Sequence, residues 1–175
     1  MDAISALTPP SVSSDALDQA EKLVAALVEA CEADSGQEDP PELAELRELT
    51  GRNDIQFVEF YHLYSAMEDR EFAHQLMLPK AAKIADLSED VLVEIYRKVD
   101  EFIIKPELHY YLDLLRVNVG EYAVGLVFDF PSEDWINHLV ITSELEHVVK
   151  PSEFAPTPEQ RAREALRKPP NVICL

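Results

Sequence analysis

Four glycines serve 175 residues, against 12 prolines. Glycine supplies the positive-φ positions of tight hairpins, so its scarcity disfavours a hairpin-rich all-β fold. Cysteine is as rare: Cys31 and Cys174 are the only two, which excludes a disulfide framework. No run approaches the ~18 apolar residues of a membrane-spanning helix. The opening MDAISALTPP has neither a basic start nor a long apolar stretch, so no secretory leader is expected. Cys174 stands next to last, whereas a prenylation box needs its cysteine fourth from the end. These absences point to a cytoplasmic, reducing setting.

Positive charge is the other shortage. Fifteen Lys and Arg face 34 Asp and Glu, a formal net charge of −19. Phosphate backbones and anionic lipid surfaces repel such a chain, so neither direct nucleic-acid binding nor membrane association is expected. The imbalance is uneven. Residues 1–54 carry a net −10, while residues 150–170 carry a net +2.

What is present is apolar residue at an ordinary globular share, 47%, arranged at helical spacing. Residues 1–12 read as a flexible lead, and 13–175 as one all-α domain of roughly six to eight helices, with DSGQEDPP (34–41) as an internal linker. Ser13 and Ser14 offer caps for a first helix whose stripe is Leu17, Ala20, Val24, Leu27, Val28 and Cys31. That stripe makes Cys31 a small core residue. Pro41 opens a short helix that Thr50-Gly51 closes. From Asn53 one long helix is expected to run to Pro79, followed by a helical turn or two in PKAAKIADL. Ser88 caps a helix striped by Leu92, Ile95, Val99, Phe102 and Ile103, and Pro106 opens the next. Over 120–130, Tyr122, Val124, Leu126, Phe128 and Phe130 alternate as in a strand. With no partner strand nearby a buried helix is preferred, a short β element being the alternative. Ser132 caps a helix expected through Val149, and Thr157, Pro158 and Gln160 form a capping box for the last.

Three Glu-x-x-His pairs stand out: Glu59/His62, Glu71/His74 and Glu144/His147. Residues three apart share a helix face, and di-metal carboxylate bundles combine two such pairs with single glutamates from two further helices. A ferritin-like enzyme using Glu59, His62, Glu144 and His147, with Glu21 or Glu29 and Glu94 or Glu101 from the other two helices, is therefore the alternative to weigh. Helical geometry opposes it. Glu94 and Glu101 fall opposite their stripe, and Glu59 shares a face with Arg52 and Arg70 while Phe57, Phe60 and Tyr61 occupy the other side. Only Glu144 and His147 fall beside apolar positions, Ile136 and Val140. No metal or other cofactor is expected. No glycine-rich phosphate loop or Cys-x-x-Cys is present, so enzymatic activity is not the favoured reading.

Acid next to aromatic surface occurs twice, in MEDREF (67–72) and FDFPSEDW (128–135). Rings give an interface area and charges give it register. Glu68, Asp69, Glu71, Asp129, Glu133, Asp134 and Trp135 are thus the candidate partner-binding residues, with Trp135 as the anchor. The expected function is an acidic protein-interaction module, of inhibitor, antitoxin or immunity type, that binds a basic protein. A structural subunit of a larger assembly is a further alternative.

Overall fold

Three serines do locally what their spacing suggests. Ser13 Oγ accepts from Ala16 N at 3.3 Å, Ser88 Oγ from Val91 N at 3.3 Å, and Ser132 Oγ from Trp135 N at 3.2 Å. Each satisfies one of the amides that the first turn of a helix leaves without a partner. Thr157 and Gln160 complete the reciprocal box: Thr157 Oγ1 accepts from Gln160 N at 3.3 Å, and Gln160 Oε1 from Thr157 N at 3.0 Å. The computed structural model describes residues 7–33, 39–65 and 67–167, with the backbone alone at 62–65. Within these residues lie α1 (Ser14–Glu32), α2 (Pro41–Thr50), α3 (Asp69–Met77), α4 (Glu89–Glu101), α5 (Leu108–Asn118), α6 (Glu121–Phe128), α7 (Glu133–Ile141) and α8 (Pro158–Arg167). The protein is all-α: no strand occurs among the described residues. Residues 1–6, 34–38 of the expected linker, and Cys174 lie outside the description.

The chain gathers into two compact units. One holds Pro9–Lys80 with Lys105–Tyr110 and is organised around α1. Leu23, Val24, Leu27, Val28 and Cys31 of α1 meet Leu43 and Leu46 of α2, Ile55, Phe60, and Ala73 and Leu76 of α3. Arg47 donates from Nε and a terminal nitrogen to the Ile55 carbonyl at 2.9 and 2.7 Å, pinning the exit from α2. Gly51, at φ 67°, closes α2 in the left-handed conformation that glycine adopts without strain. Arg70 of α3 reaches Asp18 at 2.8 Å and Glu21 at 2.5 Å on α1.

The other unit holds Ala81–Ile104 and the described residues from Tyr111 onward, with the buried Leu7. Leu7 sits in the segment expected to be a loose lead. Here α4 buries Val91, Leu92, Val93, Ile95, Tyr96 and Val99, and α7 buries Trp135, Ile136 and Leu139. Tyr96 donates its buried hydroxyl to the Ala123 carbonyl of α6 at 2.9 Å. The ambiguous stretch 120–130 is helical. Ala123 and Leu126, three apart, face inward, while Tyr122, Phe128 and Phe130 keep exposed surface. The alternating set therefore shares no single face: Leu126 is buried, while the rings of Tyr122, Phe128 and Phe130 are exposed.

Three expectations about helix extent require correction. The helix expected from Asn53 is a 3-10 helix, Phe57–Ser65, followed by an extended Glu68 (φ −74°, ψ 148°) from which α3 restarts. Residues three apart eclipse in a 3-10 helix, which places Phe57 and Phe60 in register. Glu59 Oε1 holds the turn by accepting from Gln56 N at 2.8 Å, and Phe60 packs edge-on to Phe72 at 5.7 Å. PKAAKIADL forms no helix. The Asn118 side chain pairs with its backbone instead, accepting from Ile84 N at 2.6 Å and donating to Ala82 O at 3.1 Å. Finally α7 stops at Ile141, eight residues before Val149. Ser143 turns left-handed (φ 61°), its N–H bonds Val140 O, and Glu144 N bonds Leu139 O, the paired closure of a Schellman motif.

Two outcomes test this packing. Trp135 is 2% exposed, so Trp135→Ala is expected to lower unfolding free energy by roughly 3–5 kcal/mol in chemical denaturation. Asp54 bonds Arg52 and Lys80, both at 3.1 Å, and the Arg52 hydrogen bond foremost holds its carboxyl pKa down to about 2. A depressed carboxyl contributes stability above its unfolded value, ~3.9, that is lost as pH falls toward the folded one. Acid titration of Asp54→Asn should accordingly lose part of the destabilisation that wild type shows between about pH 4 and pH 2.

Candidate functional site

Pro131 cannot continue α6, and Ser132 starts α7 directly after it. Asp129, Phe130 and Pro131 therefore make a tight corner between two helices. Pro131 is buried, and the corner turns its neighbours outward: Phe128 is 59% exposed and Phe130 73%, with Asp129, Glu133 and Asp134 exposed around them. Two exposed phenyl rings and three exposed carboxylates thus fall within residues 128–134, at the edge this corner forms. Asp134 is engaged with Arg167 at 2.9 Å yet keeps 71% of its side-chain surface. Asp129 and Glu133 make no ion pair among the described residues, so their charge meets solvent directly.

Trp135 does not belong to this surface. It shares the inward stripe of α7 with Ile136 and Leu139, and its ring packs edge-on against Phe154 at 6.4 Å. As the third residue after the Ser132 cap it faces the core, and burying so large a ring outweighs any use of it outside. The expected anchor is thus buried, and the exposed rings at this corner are those of Phe128 and Phe130. Their alternation with acids was legible, but its inward or outward sense was not.

Beside the edge, Glu133, Ile136, Asn137, Val148, Val149, Lys150 and Pro151 line an open cleft of about 390 Å³. Ile136, Val148, Val149 and Pro151 give it apolar surface, and Glu133 and Lys150 one charge of each sign, Lys150 also pairing with Glu153 at 3.2 Å. The second expected group, Glu68, Asp69 and Glu71, lies in the other unit, at the start of α3. Glu68 is its extended N-cap residue, and Asp69 and Glu71 occupy its first turn, where the helix dipole favours negative charge. Their position is accounted for by the helix itself.

The metal alternative meets a different geometry from the one its spacing requires. Glu144 and His147 follow the left-handed turn at Ser143, so they share no helix face. Glu144 receives Arg163 at 2.5 Å, and Glu59 is occupied by the Gln56 amide. The His62 side chain lies outside the described residues. Among the described residues, no three His, Cys, Asp or Glu side chains converge on a point a cation could occupy.

Charge pairing gives the surface its sign. All eight arginines of the chain, Arg47, Arg52, Arg70, Arg97, Arg116, Arg161, Arg163 and Arg167, bond carboxylates of the same chain. The strongest cationic groups are spent internally, and the surplus of acid is left to the exterior. Such a surface can hold cationic groups at its rims, with the phenyl rings of the 128–134 edge supplying apolar area. Cys31 adds no nucleophile: burial among α1 and α2 side chains raises its thiol pKa.

Compared with protein-family models, curated proteins and solved structures, the chain matches none. Among the described residues no helix is long and apolar enough to cross a membrane.

Elemental analysis of the purified chain is expected to return no stoichiometric iron or manganese, because Glu59 and Glu144 already bond partners of their own. Two such ions per chain, lost on Glu144→Ala, would restore the di-metal enzyme.

Proposed function

We propose that this protein is an acidic interaction module whose partner is a basic protein, acting as a masking or inhibitory cover of the antitoxin or immunity type. The observation that carries the reading is the edge at 128–134. There, exposed Phe128 and Phe130 sit among Asp129, Glu133 and Asp134 on a chain whose arginines are all engaged internally. A body of net charge −19 accelerates encounter with a cationic surface, and the rings supply the short-range contact that slows departure. A basic protein with a nucleic-acid-handling surface is the class of partner for which this charge serves best, since the acids would occupy the place of phosphates. A cytoplasmic setting accompanies this reading, in keeping with a free, buried Cys31.

Association kinetics with the partner recovered from native cells test the proposal. Rising salt should lower the on-rate steeply while the off-rate changes little. Asp129→Lys with Glu133→Lys should reduce the on-rate by about tenfold or more, and Phe130→Ala should act mainly by raising the off-rate. Recovery of neutral or acidic partners only, bound without salt dependence, would discard the reading and leave the charge to solubility.

A further inference from the structure

We draw no further inference here: the strongest candidate, the open cleft between α7 and residues 148–151, where Ile136, Val148, Val149 and Pro151 give apolar surface between Glu133 and Lys150, carries nothing, because its two charges are of opposite sign and nothing among the described residues shows what covers it.

Discussion

A surplus of carboxylates that must fold without mutual repulsion is the constraint on which the rest of this structure depends. With 34 acids and 15 basic side chains, each guanidinium is valuable, and its placement decides which elements can approach. Arg70 lets α3 lie against an acidic stretch of α1. Arg97, Arg161 and Arg163 let α8 lie against α4. Arg47 has a further task, closing the Ile55 carbonyl while it pairs with Asp39 at 3.2 Å. Arginine suits these places because its planar fork meets two acceptors at once.

Apolar burial supplies the driving force beneath this pairing, unevenly. The unit around α1 has a conventional core, in which Leu27, Leu43, Leu46, Ile55 and Phe60 are fully enclosed. Beneath α8 the interior is mixed. Tyr96, Arg161 and Glu164 are buried together, and Tyr122 donates its hydroxyl to Glu164 at 2.7 Å. Partial burial, then that hydrogen bond, pushes the Tyr122 phenol pKa well above its ordinary value, so it stays a donor. Arg167 closes the same carboxylate at 2.6 Å through Nε. Buried charge of this kind costs desolvation that only good geometry offsets, so it confers specificity of docking more readily than strength. That balance is why α8, alone among the described helices, combines definite contacts with little apolar attachment.

The candidate surface follows from the same economy of residues. At the corner between α6 and α7, Trp135 took the core position, and the smaller rings of Phe128 and Phe130 were left outside with the acids. In FDFPSEDW the juxtaposition of acid and aromatic is visible in the sequence. Whether Trp135 points outward depends on where α7 begins relative to the core, and a one-residue change of phase would turn its ring by about 100°.

Helix starts were legible because a cap is a contact within four residues: Ser13, Ser88, Ser132 and the Thr157–Gln160 box carry their instruction locally. The α1 stripe was legible for the same reason, as periodicity needs no knowledge of the partner. Helix ends and faces were not. The arrest of α7 at Ser143 and the 3-10 path of Phe57–Ser65 rest on packing that competes with helical propensity, which is a weak preference. Charge by itself declared the chain acidic, but the partner of each arginine belongs to the tertiary structure. Arg163 and Glu89 stand 74 residues apart. Composition counts charges, whereas Coulomb energy depends on distance and burial, and only the folded chain sets those.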